Sequence, residues 1–98
     1  MTAIGGAAAA VTGAASGIGR ALALEFAARG CDVALADRDE AGLQALAAEM
    51  GGRHHVKLTT HRVDVGAPAE IAGFAQAATA AHPALNIVVN NAGVALLG

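Results

Sequence analysis

Three glycines stand at fixed spacing in residues 12–19, whose sequence is Thr-Gly-Ala-Ala-Ser-Gly-Ile-Gly. The apolar run of residues 7–11 precedes them, and a helical pattern of apolar residues begins at Ile18. Glycine lets a backbone approach a bound group closely, and the free N–H groups at a helix N-terminus favour an anion. A strand, a glycine-rich turn and a helix N-terminus in this order predict a site for the pyrophosphate of a dinucleotide. An ordinary strand-to-helix turn is the alternative interpretation.

A second motif, Asn90-Asn91-Ala92-Gly93, directly follows the apolar run of residues 85–89. The first motif is spaced Gly-x3-Gly-x-Gly, which differs from the common Gly-x-Gly-x-x-Gly dinucleotide fingerprint. Together, in this order and at this distance, the two motifs resemble those of the short-chain dehydrogenase/reductase family. The resemblance covers residues 7–93. It implies a Rossmann fold, a bound NAD or NADP, and an oxidoreductase that interconverts an alcohol and a ketone by hydride transfer.

The hydrophobic pattern predicts strands that alternate with helices along the whole chain. The predicted strands are residues 7–11, 32–37, 56–63 and 85–89, and the predicted helices are 18–29, 38 or 39 to 50, and 68–81. Gly30 is expected to end the first helix, and Pro68 is expected in the first turn of the third. Alternation of this kind predicts an α/β fold, a partial Rossmann sheet of parallel strands in the doubly wound order 3-2-1-4. We therefore expect residues 1–98 to form a single incomplete NAD(P)-binding domain.

The same pattern predicts which side chains face the core. On the first helix these are Ile18, Ala21, Leu22, Phe26 and Ala27; on the second Leu43, Leu46, Ala47 and Met50; on the third Ile71, Phe74, Ala75 and Ala78. The last strand is apolar except at Asn86, which is typical of a strand covered on both faces. With no following neighbour in this chain it would be an edge, so we expect marginal stability and self-association through it.

The end of the second predicted strand bears on the choice of dinucleotide. Asp37 stands there, and in dinucleotide folds a carboxylate at this point accepts hydrogen bonds from the adenosine ribose hydroxyls. It would also repel the 2′-phosphate of NADP. Arg38 could hold that phosphate instead, but in the resembled family the acidic residue usually decides, so NAD is favoured over NADP. Asp37 could also serve as the N-cap of the second helix.

The resemblance implies further contacts with the dinucleotide. Asp64 and the backbone at Val65 would reach the adenine ring, although Asp64 could also be a cap or turn residue ahead of Pro68. Thr12 can tie the glycine loop to the neighbouring strand, and Ser16 can donate to a phosphate or cap the first helix. Residues 91–93 would pass beneath the dinucleotide, with Asn90 bracing the sheet and a plain turn as the alternative. The full set of candidate binding residues is Thr12, Gly13, Ser16, Gly17, Ile18, Gly19, Asp37, Arg38, Asp64, Val65, Asn91, Ala92 and Gly93.

Other residue types that could do chemistry favour structural roles. Arg20 is expected to be a solvated helix residue, and Glu25 pairs with Arg29 at i, i+4 spacing. Cys31 is expected to be buried as a small hydrophobe. The histidines, at positions 54, 55, 61 and 82, have no metal-ligand spacing and are expected on the surface or in loops.

Composition narrows the classes of partner. The 98 residues are 55% hydrophobic but only 2% aromatic, so the core must consist of small and aliphatic side chains. A net charge of −2 without a basic cluster argues against nucleic acid. The single cysteine, the lack of a signal-peptide pattern and the lack of an apolar run near about 18 residues favour a cytoplasmic protein without a membrane partner.

The residues that perform catalysis in the resembled family are not in this sequence. The family uses a Tyr-x3-Lys pair with a serine and a further asparagine, whereas this chain has no tyrosine and its only lysine is Lys57. No catalytic residue is therefore assigned, and the chain alone is expected to be inactive, with a small-molecule substrate only in a longer form. Three interpretations stay open: the cofactor-binding part of such an enzyme, a stand-alone dinucleotide-binding module, or an interaction piece that needs a partner chain.

Overall fold

The structure is a computed structural model that describes residues 7–64 and 66–90. Its elements are β1 (Ala8–Thr12), α1 (Gly17–Ala28), β2 (Asp32–Asp37), α2 (Glu40–Gly51), β3 (Leu58–Arg62), α3 (Pro68–Ala81) and β4 (Leu85–Val89). The predicted alternation of strands and helices is confirmed. The third strand begins later than predicted, at Leu58; just before it, the Lys57 amide donates to the Asp32 side chain, at 2.8 Å from Oδ1.

All four strands of the described sheet are parallel, in the order β3-β2-β1-β4. Ala10 of β1 lies opposite Ala34 of β2 on one side and Val88 of β4 on the other. Alanine has a poor strand propensity, yet β1 is rich in it. The central position of β1 outweighs propensity, because its backbone is paired on both sides and its side chains are buried on both faces. The predicted partial Rossmann architecture is confirmed.

Helices cover the two faces of the sheet unequally. On one face, α1 and α2 pack against Val11, Val33 and Leu35. On the other, α3 alone packs Phe74 and Ala78 against the alanines of the central strands. The helix pair therefore builds the larger core, and a single helix covers the opposite face.

The buried face of α1 matches the prediction only in part: Ala27 is buried as predicted, and Leu22 and Phe26 are half-buried. The fully buried positions are Gly19, Ala23 and Ala27, whereas Ile18 is 69% exposed and Ala21 is also exposed. Apolar residues lie on nearly every side of this helix, so periodicity did not single out one face. The face with the smallest side chains packs inward because it allows the helix backbone to approach the sheet closely.

Gly30 ends α1 as predicted. Its φ is 88°, and it follows Arg29, the C-cap. The Gly30 amide donates to the Ala27 carbonyl at 3.0 Å, and the Cys31 amide donates to the Phe26 carbonyl at 3.0 Å. These two bonds form a Schellman motif, which requires the left-handed backbone that glycine adopts readily.

The predicted core-facing residues of α2 and α3 are mostly confirmed. Leu43, Leu46 and Met50 of α2 are buried as expected, with Ala47 partly buried. On α3, Phe74 and Ala78 are buried, Ile71 is half-buried, and Ala75 is exposed.

The apolar run of β4 is typical of a strand covered on both faces, but the sequence also predicts that β4 is an exposed edge, and the described residues agree with the second expectation. Asn86 is exposed and Val88 is 69% exposed, while the alternate residues of the strand are half-buried. Val88 lines an apolar groove beside α3 together with Ile71, Phe74 and Leu85. Among the described residues, no helix is long and apolar enough to cross a membrane.

Candidate functional site

The glycine loop lies at the carboxyl end of β1 and leads directly into α1. Gly13 and Gly17 have φ angles of 65° and 61°, a region that side chains with a Cβ rarely adopt. An added Cβ at Gly17 would meet nothing within 4 Å, so the space in front of the helix is open. The first amides of α1 have no partner within the helix and face this space. Such a loop can receive an anionic group, as the sequence predicts.

Ser16 is the N-cap residue of α1, with an extended backbone at φ −154° and ψ 164°. Its side chain is exposed and forms no capping hydrogen bond within the described part of the chain. Of the two roles predicted for Ser16, the capping role is therefore met only by its position at the N-cap, without the side-chain hydrogen bond.

Asp37 is bonded to the glycine loop. Its Oδ2 accepts from the Ala15 amide at 3.0 Å, and its Oδ1 accepts from the Asp39 amide at 3.0 Å. One residue earlier on each segment, the Ala14 amide donates to the Ala36 carbonyl at 3.0 Å. The contact with Ala15 was not predicted, because it joins positions that meet only after β1 and β2 pair.

The cap of α2 is Asp39 and not Asp37. Oδ1 of Asp39 accepts from the Gly42 amide at 3.0 Å. The alternative role considered for Asp37 is therefore wrong, because β2 extends through Asp37 and the helix begins at Glu40. The spacing from Asp39 to Gly42 is that of an N-cap to N3 bond, a signal that the sequence contained.

Thr12 links the ends of β1 and β4, as predicted. Its Oγ1 lies 3.3 Å from the Val89 carbonyl oxygen and 3.1 Å from Oδ1 of Asn90, two acceptors for one hydroxyl proton. Thr12 itself is buried. The bond fixes the two strands at the point where the helical layer changes faces, which is the usual ligand crevice of a doubly wound sheet.

Asp64 organises the turn between β3 and α3. Its Oδ1 accepts from the Gly66 amide at 2.9 Å, and its carbonyl accepts from the Ala67 amide at 3.0 Å. Its own amide donates to Oε1 of Glu70 at 2.8 Å, a contact the sequence analysis missed. The turn role proposed as an alternative is present, and α3 starts with Ala67 as N-cap and Pro68 in the first turn.

The parallel register brings the strand ends together. Thr12 lies beside Ala36, and Asp37 lies beside Arg62, so the Thr12, Asp37 and Asp64 positions follow one edge of the sheet. Arg38 is exposed next to Asp37. The remaining candidates, Val65, Asn91, Ala92 and Gly93, lie outside the described residues.

The arrangement has known counterparts. A family model described as short chain dehydrogenase matches residues 7–98. This chain belongs to the short-chain dehydrogenase family. It is 41% identical over 88 residues to the probable oxidoreductase EphD of Mycobacterium tuberculosis, a match that covers 90% of this chain and 15% of that protein. It is 42% identical over 90 residues to D-threitol dehydrogenase of Mycolicibacterium smegmatis, covering 89% of this chain and 33% of that protein.

Solved structures of the same family superpose well on this chain. A short-chain dehydrogenase/reductase from Burkholderia phymatum in complex with NAD gives a TM-score of 0.83 at 32% identity, covering 90% of this chain and 31% of that one. A metagenomic short-chain oxidoreductase in complex with NADP gives 0.85 at 36% identity, covering 95% and 42%. This member of the short-chain dehydrogenase family therefore spans less than half the length of each of these relatives.

Charged residues behind the loop join the two helices of the larger core. Arg20 of α1 forms an ion pair with Glu49 of α2, whose other oxygen lies 3.6 Å from Nη1 of Arg53. Arg20, which was expected to be a solvated helix residue, therefore also forms an ion pair between two helices. Glu25 and Arg29 pair at 2.6 Å, which confirms the predicted i, i+4 contact.

The expectation that the histidines lie on the surface or in loops is wrong for His61, which lies within β3 and is half-buried. His82, the C-cap of α3, follows the helix as expected of a loop residue, but it is not on the surface. It is 2% exposed, and its Nε2 lies 2.8 Å from Oγ1 of Thr59. The same oxygen lies 2.8 Å from Nε2 of His61, which packs edge-on against Phe74. Nδ1 of His82 has no hydrogen-bond partner among the described residues. No sequence pattern predicts this cluster, because positions 59 and 82 are distant in the chain and meet only in the folded sheet.

Burial disfavours the charged form of both imidazoles. It lowers the pKa of His82 below its usual 6.5; the Lys57 charge lowers it further and Asp32 opposes that effect. Burial also lowers the pKa of His61, with a smaller contribution from His82. At Cys31, which is buried as predicted, burial raises the pKa of the thiol. Over residues 7–64 and 66–90 the structure contains no group of three or more histidine, cysteine or acidic residues suited to a metal ion.

Proposed function

We propose that this chain is the dinucleotide-binding part of an NAD(P)-dependent oxidoreductase that interconverts an alcohol and a ketone. The observation that supports this most directly is the glycine loop, with Gly13 and Gly17 in left-handed conformations at the end of β1 and open space before α1. Relatives with the same fold are complexes with NAD and with NADP. We propose further that residues 1–98 form one incomplete NAD(P)-binding Rossmann domain.

The residues present fit a nicotinamide dinucleotide. The pyrophosphate would lie against the amides of Gly17, Ile18 and Gly19, where the helix N-terminus favours negative charge. The exposed Ser16 hydroxyl would donate to it, and Thr12 would hold the crevice at a fixed width. When bound, the dinucleotide supplies the hydride-transfer chemistry; the protein binds and orients it.

Asp37 supports NAD as the preferred dinucleotide. Each of its oxygens accepts one backbone N–H, and each retains a lone pair that can accept a ribose hydroxyl proton. A 2′-phosphate at that point would place like charges together, which is unfavourable. Arg38 is exposed and free to rotate toward solvent, so it offsets the repulsion only in part.

Calorimetric titration of NAD and NADP into the purified chain tests this proposal. We expect NAD to bind more tightly, by about tenfold, the effect of roughly one pK unit of unfavourable charge interaction. The variant Arg38→Ala should weaken NADP further. Equal or tighter binding of NADP by the wild type would mean that Arg38 outweighs Asp37, and no binding of either would overturn the function.

A further inference from the structure

We propose that Asp37 and Gly42 are positioning residues that hold the glycine loop in its anion-binding conformation from the side of α2. This role is separate from any contact between Asp37 and the adenosine ribose. The positioning role rests on the proposed function only for the identity of the ligand, because the contacts that support it join residues of the chain itself.

The loop is bonded to the end of β2 at two consecutive amides. The Ala14 amide donates to the Ala36 carbonyl, and the Ala15 amide donates to Oδ2 of Asp37, each at 3.0 Å. Ala14 is fully buried. The other oxygen of Asp37 accepts from the Asp39 amide, which restricts rotation of the carboxylate. The position of the loop midway between Gly13 and Gly17 is therefore set by the carboxylate.

The first turn of α2 restrains the same residue from its other side. A Cβ built on Gly42 would lie 2.9 Å from Cβ of Ala15 and 2.5 Å from Oδ2 of Asp39. Real side chains do not approach this closely, so a Cβ at position 42 would force both the Asp39 side chain and Ala15 to move. The φ of Gly42 is not positive, which leaves the close approach as the reason for glycine here.

The two roles of Asp37 predict opposite effects on a simple anion. If the carboxylate acted only through its charge, removing it would reduce repulsion and tighten the binding of an anion at the loop. If it holds the loop, removing it leaves the Ala15 amide unpaired and the loop less ordered, so the anion binds more weakly. Inorganic pyrophosphate distinguishes the two because it has no ribose to contact Asp37.

Titration of inorganic pyrophosphate, followed by the amide resonances of Gly17 and Gly19, is the test. We expect Asp37→Ala to weaken binding about tenfold, the loss of one hydrogen bond to a charged group. Glu40→Ala removes the same charge from the exposed first turn of α2 and is the matched control. It should bind pyrophosphate equally or more tightly. Equal or tighter binding by Asp37→Ala would overturn the proposal.

A second pair of variants tests the contact from α2 without changing any charge. Gly42→Ala should displace Ala15 and weaken pyrophosphate binding, whereas Gly51→Ala on the same helix meets nothing within 4 Å and should not. Equal affinities for these two variants would contradict the role of Gly42.

Amide hydrogen exchange in the absence of any ligand separates this proposal from the proposed function. We expect the Ala15 amide to exchange about tenfold faster in Asp37→Ala, with the Ala10 amide of β1 unchanged. Faster exchange at both amides would indicate general destabilisation and overturn the positioning role. If the wild type binds no pyrophosphate, the proposed function fails, and the exchange rates alone decide the role of Asp37.

Discussion

Gly17 combines two requirements that only glycine meets. Its φ of 61° is strained for any residue with a Cβ, and the space beside it must stay empty for a ligand to approach the amides of α1. Gly13 shares the first requirement, with a φ of 65°. These positions could be predicted from the sequence because a positive φ favours glycine, so the spacing of the glycines indicates where the backbone takes this conformation. The contacts of Asp37 and His82 could not, because their partners are distant in the chain.

We expect Gly17→Val to abolish dinucleotide binding. The branched side chain is incompatible with a positive φ and occupies the ligand space, so both effects act in the same direction. Gly73→Val on α3, where an added Cβ meets nothing within 4 Å, is the control. Calorimetry with NAD gives the affinities. An affinity for Gly17→Val within about twofold of the wild type would mean that the loop is only a turn.

His82 should make stability depend on pH. Because burial lowers its pKa in the folded state below 6.5, the unfolded chain binds more protons as the pH falls through and below that value. The free energy of unfolding should therefore fall with decreasing pH, by up to about 1.4 kcal/mol per pH unit for each proton. Lys57 and Asp32 act electrostatically on this imidazole, and His61, whose own pKa is lowered by burial, contributes to the slope in the same direction.

Urea unfolding between about pH 5 and pH 8 measures this dependence. The variant His82→Gln should flatten the slope. His55→Gln, at an exposed position, is the control. A loss of slope in the control as large as in His82→Gln would contradict the assignment.

At the scale of elements, order and type follow from the sequence while orientation follows only in part. Runs of apolar residues, Gly30 and Pro68 mark where strands and helices begin and end. In α1, however, glycine, alanine and larger apolar residues occupy most sides, so Ile18 could not be distinguished from Ala23 by spacing. In β4, the apolar run is typical of a strand with two covered faces, but among the described residues no helix covers Val88, which is exposed.

We expect the chain to self-associate through β4. In the described sheet this strand pairs with β1 on one side only, and Val88 adds exposed apolar surface beside it. Val88→Lys should shift the chain toward monomer in analytical ultracentrifugation, because a buried lysine in the contact is unfavourable. Ile18→Lys, which has the same exposure of 69%, is the control. A monodisperse wild-type monomer would refute this expectation, as would undiminished association of Val88→Lys.

At the scale of the whole molecule, the chain contains the crevice proposed for the dinucleotide but no Tyr-x3-Lys pair. It contains no tyrosine, and Nζ of Lys57, its only lysine, bonds to the Ala81 carbonyl at the end of α3. A dinucleotide bound at the strand ends would thus meet no general acid or base of the family type.

We expect no dehydrogenase activity from the 98-residue chain with NAD(H) or NADP(H). Proton transfer by a positioned group contributes about 10²–10⁴-fold to rates, and here that group is missing along with the lysine that supports it. Absorbance assays against a panel of alcohols and ketones should stay at background. Reproducible turnover that tracks with purified chain would show that other residues provide the proton.

The small side chains between α1 and the sheet limit which amino-acid substitutions sequences of this kind can accept during evolution. Gly19, Ala23 and Ala27 are buried between α1 and the sheet. Because protein interiors are closely packed, a larger residue at any of these positions would move α1 away from the sheet. The amides at its N-terminus move with it. Substitutions at such interior positions would then reduce affinity for the ligand while the fold persists, and selection for binding would keep Ala23 and Ala27 small although they lie beyond the proposed ligand contacts.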